Sequence, residues 1–239
     1  MLEVRNLSKS FGSLTVVDDV STAVAGGECL GVMGPNGAGK STFFDLLTGT
    51  TRADGGSVRL DGGEIGGLAP EARVGAWLAR AFQIPKPFAT LTVREHLVLA
   101  AAAGQGLRGR ALDRQVDEVL ARTGLGDRAE RTGGALRLLD RKRLELAKAL
   151  ATGPKVLLLD EISGGLTEHE VHDLVGLIRE LKSPGLAILW IEHIAHALKA
   201  VSDRILMLHL GRKVIEDAPD RVTEDARVRE LYLGAAHHA

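Results

Sequence analysis

Short apolar runs broken by glycine-rich turns make up the first sixty residues of the chain. Residues 2–4 and 20–24 carry apolar or β-branched side chains at every second position, 29–33 is continuously apolar, and 57–60 lies between two Asp-Gly-Gly turns. A period of two is that of a β-strand with one buried face. These segments predict a small, partly antiparallel sheet.

From residue 92 onward the apolar positions recur with helical spacing. Thr92 and Glu95 have the separation of a capping box, and apolar residues follow as far as Gly104. The same spacing predicts helices over about 113–124 and 140–151. Three consecutive helices without an intervening strand indicate an all-helical insertion.

Two continuously apolar runs in the last third of the chain end in polar residues. One leads into Asp160 and Glu161, and the other, 187–191, leads into Glu192 and His193. Buried parallel strands have this composition and present polar residues at their carboxyl ends, so a doubly wound α/β core is predicted. The remaining predicted elements are a helix capped by Thr167 and Glu170, a hairpin over 204–214 that turns at Gly211, and a terminal helix over 220–233.

The composition excludes several classes of protein. Of 239 residues, 45% are hydrophobic, and 30 basic against 31 acidic residues give a net charge of −1. The chain can therefore build a core without disulfides. Its net charge is too small to attract nucleic acid or anionic lipid to the molecule as a whole. It has neither the apolar core of a signal peptide nor an apolar stretch of about eighteen residues, so we expect a soluble or peripheral protein. Cys29, within an apolar run, is predicted to be a buried reduced thiol without a chemical role.

The segment Gly34–Ser41, GPNGAGKS, has the glycine spacing of a phosphate-binding loop and lies between a predicted strand and a predicted helix. Backbone amides would close around the β-phosphate, Lys40 would reach the β- and γ-phosphates, and Ser41 would hold Mg²⁺. The alternative is a glycine-rich turn with a chance lysine. The predicted nucleotide-binding residues of this segment are Gly34, Pro35, Asn36, Gly37, Ala38, Gly39, Lys40, Ser41 and Thr42.

Asp160 and Glu161 stand where phosphate-loop enzymes keep their acidic residues. Asp160 directly follows a buried strand and would hold Mg²⁺ through a water molecule. Glu161 is one residue nearer to the γ-phosphate and is predicted to be the general base that aligns a water for in-line attack. Two adjacent acids at a strand end can also simply be solvated, but the upstream phosphate loop favours the catalytic interpretation.

With these motifs in this order, residues 2–233 resemble the nucleotide-binding subunit of an ATP-binding-cassette (ABC) transporter. The resemblance implies an α/β phosphate-loop NTPase core with an N-terminal antiparallel β-subdomain and an inserted α-helical subdomain. Within a single ABC ATPase domain, 1–239, the core with its β-subdomain would take 1–82 and 152–239, and the helical subdomain 83–151. It also implies an ATPase that uses ATP and Mg²⁺.

Three further residues match functional positions of that family. Phe11, in SKSFG, matches the aromatic residue that stacks on adenine, although a core phenylalanine is the alternative. Gln83, in RAFQ, matches the glutamine that contacts Mg²⁺ and water and senses the membrane partner. His193 matches the switch histidine that contacts the γ-phosphate and the catalytic glutamate; alone, it would be taken for a surface residue. The resemblance thus implies metal contacts from Ser41, Gln83 and, through water, Asp160.

Within the family, the chain is most similar to importer ATPases for branched-chain amino acids and related amides such as urea. The similarity is carried by RAFQIPKPFATLTVREHL, GGLTEHEVHDLVGLI, LWIEH and ELYLG. It implies a peripheral protein at the cytoplasmic face of the membrane. Its partners would be permease subunits, a second ABC ATPase subunit and, indirectly, a substrate-binding protein, with no nucleic acid. Residues 85–88 would receive the permease's short cytoplasmic helix, although prolines also punctuate loops.

The segment 136–140, LRLLD, departs from the family's signature, typically LSGGQ. Arg137 replaces the serine, Leu139 the second glycine and Asp140 the glutamine. The family's subunits pair head to tail, and the signature reaches the γ-phosphate of the partner's ATP through a hydroxyl and bare backbone amides. Leu139 adds bulk where close approach is needed, and Asp140 is expected to set a negative charge near a polyanion.

Two neighbouring positions deviate as well. Ile162 replaces the proline usual after the glutamate, and Thr167 replaces the Asp or Asn that couples the two sites of a pair. Drift in a tolerant subfamily is one interpretation. We favour functional asymmetry, in which the chain's own site, with Lys40 and Glu161, is completed by a different partner with an intact signature. The reciprocal site would bind ATP and hydrolyse it poorly.

The leading prediction is therefore an ATPase subunit that energises an ABC importer. A soluble ABC protein acting on nucleic acid or ribosomes is a second class, which the single cassette and the near-zero net charge disfavour. A third class is a non-hydrolysing, nucleotide-dependent regulatory or scaffold module, which the degenerate signature favours.

Overall fold

The computed structural model of the protein describes the backbone of residues 1–235 and the side chains of residues 1–231. Its strands are β1 (Leu2–Phe11), β2 (Leu14–Val24), β3 (Cys29–Met33), β4 (Gly55–Leu60), β5 (Gly63–Glu64), β6 (Leu78–Ala81), β7 (Val156–Asp160), β8 (Ala187–Ile191), β9 (Arg204–His209) and β10 (Arg212–Asp217). Its α-helices are α1 (Lys40–Thr48), α2 (Pro70–Gly75), α3 (Val93–Gln105), α4 (Gly109–Arg122), α5 (Leu138–Ala151), α6 (Glu168–Leu181), α7 (Ala195–Val201), α8 (Pro219–Glu224) and α9 (Ala226–Ala235).

Strands β1, β2, β4 and β5 form an antiparallel sheet in the order β2-β1-β4-β5. Leu2 of β1 pairs with Val24 of β2 on one side and with Leu60 of β4 on the other. Along β1, Leu2, Val4 and Leu7 are buried, which is why the apolar positions of this segment alternate. The predicted antiparallel sheet is confirmed for residues 2–4, 20–24 and 57–60, whereas residues 29–33 form β3 of the other sheet.

The second sheet has six strands in the order β10-β9-β3-β8-β7-β6, of which all but β10 are parallel. Every residue of β3, β7 and β8 is buried, and their side chains divide between two apolar clusters, one on each face of the sheet. This two-sided burial explains the continuously apolar runs in the sequence. Because the carboxyl ends of parallel strands meet at one edge, the segments after β3, β7 and β8 lie side by side.

Helices α3, α4 and α5 follow one another between β6 and β7 and pack together. Both predicted capping boxes are present: Thr92 accepts from the backbone N–H of Glu95 at the start of α3, and Thr167 accepts from that of Glu170 at the start of α6. The predicted mixed α/β fold with a helical insertion is confirmed.

Some predicted boundaries differ from the structure. Helix α4 begins at Gly109 and not near 113, and α5 begins at Leu138. The predicted single terminal helix is two helices, α8 and α9, because Asp225 interrupts it and accepts from the backbone N–H of Arg227 at 2.8 Å, as a cap does. The short elements α2 and β6 were not predicted at all.

Cys29 is fully buried in β3, as predicted. Burial raises the pKa of its thiol from 9.0 to about 12, so the thiol stays protonated at neutral pH. Within the described part of the chain, no helix combines the length and the apolar character needed to cross a bilayer.

Candidate functional site

The phosphate loop connects β3 to α1, and Gly39 caps the helix with a φ of 95°. Residues with a side chain rarely adopt that angle. A Cβ at Gly39 would also lie 2.4 Å from the carbonyl oxygen of Val16 in β2, whereas Gly37 faces open space. The loop therefore places bare backbone at the N-terminus of α1, the arrangement that binds phosphate in many proteins.

Lys40 is buried at the first turn of α1. Its Nζ donates to the carbonyl oxygens of Gly34, at 2.8 Å, and Pro35, at 3.2 Å. Burial lowers the pKa of Lys40, and the carboxylates of Glu161 and Asp160 oppose that shift. The amine thus contacts the loop's own carbonyls and is close enough to the two acidic residues to be affected by their charges, while its contact with phosphate stays a prediction.

Ser41 and Asp160 offer the hard oxygen atoms that Mg²⁺ prefers. Ser41 is exposed on the first turn of α1, and Asp160 is the last residue of β7. With the amine of Lys40 and the bare loop backbone, this donor set fits a Mg²⁺-bound triphosphate. Of the other predicted loop residues, Asn36 is exposed, Pro35 and Thr42 are half-buried, and Ala38 is buried.

Glu161 is the centre of the site. Its backbone is left-handed, with a φ of 45°, and its N–H donates to the carbonyl of Ile191 at the end of β8. Its side chain has two partners: Gln83 Nε2 donates to Oε2 at 2.8 Å, and His193 Nε2 lies 2.6 Å from Oε1. The structure therefore brings together three residues that are far apart in the sequence.

A buried carboxylate next to His193 was missed by sequence reasoning. Glu192 is 2% exposed and accepts from both the backbone N–H and the hydroxyl of Ser163, at 3.0 and 2.6 Å. The N–H of His193 donates to the second oxygen of Glu192 at 3.2 Å. This carboxylate ties the turn after β7 to the turn after β8. An acid at the end of a continuously apolar strand was the available signal.

Arg80 of β6 was also missed. Its side chain is 9% exposed and forms ion pairs with Asp160 and with Asp45 of α1, the latter at 2.6 Å. Burial by itself lowers the pKa of Arg80, but the hydrogen bonds and charges of the two carboxylates outweigh it and raise the pKa. Because β6 itself was not predicted, the sequence contained no signal for this residue.

Phe11, the predicted adenine-stacking residue, ends β1 and is 52% exposed, which excludes the core-phenylalanine alternative. The ammonium group of Lys9 lies over its ring, 5.3 Å from the ring centre. Further along the same hairpin, Val16 contacts Gly39 of the phosphate loop. Stacking on adenine stays a prediction.

The degenerate signature segment precedes and opens α5. Arg137 is the N-cap but its side chain accepts no capping hydrogen bond, and Leu138 is 41% exposed. The expectation that Asp140 presents a free negative charge is wrong. Asp140 is buried, and its carboxylate accepts from Arg128 Nε at 2.8 Å. The exposed end of α5 is therefore apolar and cationic.

A groove of about 760 Å³ lies between the six-stranded sheet and the helical insertion. The segment around Gln83 forms one wall, where Phe82 and Ile84 are exposed. This segment is held to α5 by two hydrogen bonds, from Lys142 Nζ to the carbonyl of Gln83 at 2.5 Å and from the N–H of Lys86 to Glu145 at 3.0 Å. The groove is lined by Thr48, Thr50, Pro70, Arg73, Val74, Leu78, Ala79, Arg80, Phe82, Gln83, Ile84, Lys86, Ala100, Glu145, Lys148, Ala149, Thr152 and Asp160.

Known proteins are similar to this chain in both sequence and fold. Residues 17–164 match the ABC transporter family. LptB, the lipopolysaccharide export system ATP-binding protein of Haemophilus influenzae, is 33% identical over 234 residues, which are 98% of this chain and 97% of LptB. BraF, a high-affinity branched-chain amino acid transport ATP-binding protein of Pseudomonas aeruginosa, is 33% identical over 251 residues, 99% of this chain and 98% of BraF.

Solved structures of ABC transporter cassettes have the same fold as this chain. A crystal structure of the ADP conformation of an ATP-binding cassette of an ABC transporter has a TM-score of 0.87 and 28% identity, and the match covers 98% of both chains. A nucleotide-free ATP-binding cassette from an ABC transporter gives 0.86 at the same identity, with 97% of this chain and 98% of that one covered. The chain therefore belongs to the ABC transporter family, as an ATP-binding ATPase subunit of the kind that works with transmembrane permeases.

Proposed function

We propose that this subunit hydrolyses ATP with Glu161 as the general base and energises the import of branched-chain amino acids or related small amides. The observation that carries the catalytic part is the pair of contacts to Glu161, from Gln83 at 2.8 Å and His193 at 2.6 Å. Both oxygens of the carboxylate are held by residues from other elements. A base fixed in this way can align a water for attack on the γ-phosphate.

The rest of the site would bind and neutralise the nucleotide. Lys40 would exchange its carbonyl partners for phosphate oxygens, and the backbone N–H groups between Asn36 and Thr42 would donate to the phosphates at the N-terminus of α1. Ser41, Gln83 and Asp160 would hold Mg²⁺, the last through water, and the ion would supply positive charge to neutralise the transferred phosphoryl group. Phe11 offers its exposed ring to the adenine.

The signature segment supports a heterodimer as the working form. Arg137 and Leu138 stand at the end of α5, where the family needs a hydroxyl and bare backbone amides. A second cassette with an intact signature would complete the site around Glu161, and the reciprocal site would bind ATP and turn it over slowly. The asymmetry would thus follow from this chain's own sequence.

The groove beside Gln83 suits the permease's cytoplasmic helix. It combines exposed apolar side chains, Phe82 and Ile84, with the cation Lys86, which belongs to the predicted docking segment 85–88. A helix seated there would touch the segment that carries Gln83, and Gln83 contacts Glu161. Docking on this surface would place the subunit at the cytoplasmic face of the membrane.

The importer assignment rests on BraF and on LivG, a high-affinity branched-chain amino acid transport ATP-binding protein of Salmonella typhimurium that is 33% identical over 252 residues. A substrate-binding protein would then deliver the substrate to the permeases. LptB is equally similar, which makes lipopolysaccharide export the second candidate. A non-hydrolysing regulatory module is the third, on account of the degenerate signature.

The test of turnover uses the complex that co-purifies with the tagged full-length chain. Glu161→Gln should lower steady-state ATP hydrolysis on the order of 100-fold or more, since a general base contributes roughly 10²- to 10⁴-fold. Glu118→Gln, the same change at a solvent-exposed position of α4, is the matched control and should leave turnover unchanged. If Glu161→Gln leaves turnover intact while the partner's equivalent change abolishes it, the asymmetry runs in the opposite direction.

The test of the substrate uses the same complex in proteoliposomes. ATP-driven uptake of labelled leucine or urea, stimulated by the co-purified binding protein, is the expected result. Extraction of lipopolysaccharide from the bilayer without uptake would support the exporter instead. Nucleotide binding without any hydrolysis by the assembled complex would support the regulatory module.

A further inference from the structure

Arg80 connects strands β6 and β7 and helix α1 through its side chain. It stands on β6, its Nη1 donates to Asp45 of α1 at 2.6 Å, and its Nη2 donates to Asp160 Oδ2 at the end of β7. The helix that carries Asp45 is the one that begins with Lys40 and Ser41. A single guanidinium group therefore joins the phosphate-binding helix to the carboxylate at the strand end.

The two carboxylate oxygens of Asp160 differ in their hydrogen bonding. Arg80 occupies Oδ2, and no hydrogen bond within the described residues reaches Oδ1. An aspartate held by one oxygen has its other oxygen aimed in a set direction, which is what a carboxylate needs in order to hold a metal-bound water. Partners of this kind orient metal-binding carboxylates, and their removal costs about 10- to 100-fold in metal affinity.

The burial of Arg80 makes this contact persistent. The side chain is 9% exposed, and its guanidinium carbon lies 5.0 Å from the ring centre of Phe82 and 5.9 Å from that of Phe44. Arginine can bridge two carboxylates with its rigid fork, whereas a lysine ammonium is a point charge that reaches one of them well. The contact therefore depends on the shape of the side chain as well as its charge.

Resting on the proposed role of Asp160, we infer that Arg80 is a positioning residue for the Mg²⁺ site: it holds Asp160 through Oδ2 and ties that carboxylate to Asp45 on the helix of the phosphate loop. Arg80 would act through Asp160, to which it donates, and not by direct contact with nucleotide or metal. Its function is to fix the direction from which Asp160 meets the metal's water.

The experiment measures ATP binding by the full-length chain as a function of Mg²⁺ concentration, with a fluorescent ATP analogue and no turnover required. Arg80→Met should raise the Mg²⁺ concentration at which binding of the analogue is half-maximal by about 10- to 100-fold. The affinity for the analogue in EDTA should stay within twofold of that of the wild type. Arg80→Lys should give a smaller shift in the same direction and decides the question if Arg80→Met does not fold. The electron paramagnetic resonance spectrum of Mn²⁺ bound with ATP should change in both variants.

Arg73 is the matched control. It lines the same groove and is 2% exposed, but its guanidinium donates to backbone carbonyls, those of Leu46 and Leu47 among them. Arg73→Met should lower the thermal unfolding midpoint without moving the Mg²⁺ midpoint. A folded Arg80 variant whose Mg²⁺ midpoint stays within twofold of the wild type would overturn the inference.

Asp160→Asn separates this inference from the function on which it rests. If Asp160→Asn shifts the Mg²⁺ midpoint and the Arg80 variants do not, Asp160 binds the metal and Arg80 does not position it. If Asp160→Asn leaves the midpoint unchanged, the role proposed for Asp160 is wrong, and the role of Arg80 is wrong with it.

Discussion

Cys29 is a single residue whose surroundings change its chemistry. Its backbone N–H donates to Asp203 at 2.8 Å, and its sulfur lies 4.0 Å from the hydroxyl oxygen of Ser202. Burial is the main reason why its pKa rises from 9.0 to about 12, and the contact with Ser202 opposes the rise. The thiol is thus shielded from solvent and also kept in its unreactive, protonated form.

This shift makes stability depend on pH above 9. Because the folded pKa is the higher one, the unfolded chain loses its thiol proton first as the pH rises, and the stabilisation present below pH 9 is lost between pH 9 and 12. We expect the free energy of unfolding to fall by about 1.4 kcal/mol per pH unit in this window from this group alone. Urea unfolding at pH 8, 9 and 10.5 measures the slope.

Cys29→Ala is the control for this prediction. Other groups titrate in the same range in both proteins, so the difference between the two slopes isolates the thiol. The alanine variant is expected to lose less stability per pH unit than the wild type. Equal slopes in the two proteins would show that the thiol of Cys29 ionises with its ordinary pKa in the folded state.

Among the site residues, the sequence was informative where a residue follows a recognisable element. Lys40, Asp160 and Glu161 could be predicted because a loop or a buried strand fixes their position along the chain. Arg80 and Glu192 could not, since their importance lies in partners from distant segments. The left-handed backbone of Glu161 is likewise a property of the folded turn, where strain of order 1 kcal/mol or more is held by its surroundings.

At the scale of elements, α3 is a helix whose first turn is closed by side chains. Thr92 Oγ1 accepts from the N–H of Glu95 at 3.1 Å, and the carboxylate of Glu95 accepts from the N–H of Thr92 at 2.7 Å. Each bond satisfies a backbone donor that the helix leaves without an intrahelical partner. The residues that start this helix are therefore also the ones that made it predictable.

Thr92→Ala should destabilise the protein by about 1 kcal/mol, because the N–H of Glu95 loses its acceptor. The measurement is the free energy of unfolding in urea, with far-ultraviolet circular dichroism to check that the helix content is kept. Glu95→Gln is the matched control, since a glutamine oxygen can still accept from Thr92, and it should cost less than Thr92→Ala. The reverse order would show that the charge of Glu95, and not the capping geometry, stabilises this helix end.

Elements with strong local signals were predicted well, and elements that depend on tertiary contacts were not. Two capping boxes and three continuously apolar strands have the expected positions. Helix α2 and strand β6 have six and four residues, and neither has a periodic pattern long enough to stand out. Strand β6 exists because it pairs with β7, which the local sequence does not encode.

At the scale of the whole molecule, the heterodimer proposal makes the N-terminal end of α5 the part that selects the partner subunit. Arg137 and Leu138 replace the small polar and glycine residues that approach the partner's nucleotide, and Leu138 is exposed there. A Cβ at Gly165 would lie 3.3 Å from the Leu138 side chain, so this leucine also fills space beside the turn after β7. Two copies of this chain would meet through the same unsuitable surface twice.

We therefore predict that Glu161→Gln alone does not form a homodimer with MgATP. Adding Arg137→Ser, Leu138→Gly, Leu139→Gly and Asp140→Gln to this variant should produce an ATP-dependent homodimer, because it supplies the hydroxyl and the bare backbone. Size-exclusion chromatography with light scattering measures the molar mass with and without MgATP. The controls are the restored variant without nucleotide and the restored variant with Lys40→Ala, both expected to stay monomeric.

A homodimer of Glu161→Gln with its signature segment unchanged would contradict the heterodimer proposal, because the segment would then be competent as it stands. If the restored variant stays monomeric while a co-purified cassette dimerises with the unmodified chain, the choice of partner lies outside residues 137–140.

The contact between Val16 and two glycines has a consequence for how the protein tolerates change in chain length. Cβ atoms at Gly39 and Gly211 would lie 2.4 and 2.6 Å from the same carbonyl oxygen, and the N–H of Gly211 donates to the carbonyl of Ala38. The turn between β9 and β10 is thus packed directly against the phosphate loop. Surface hairpins usually accept insertions. Here one added residue would displace the proposed phosphate-binding loop, so we expect homologous sequences to keep the length of this turn while other surface loops vary.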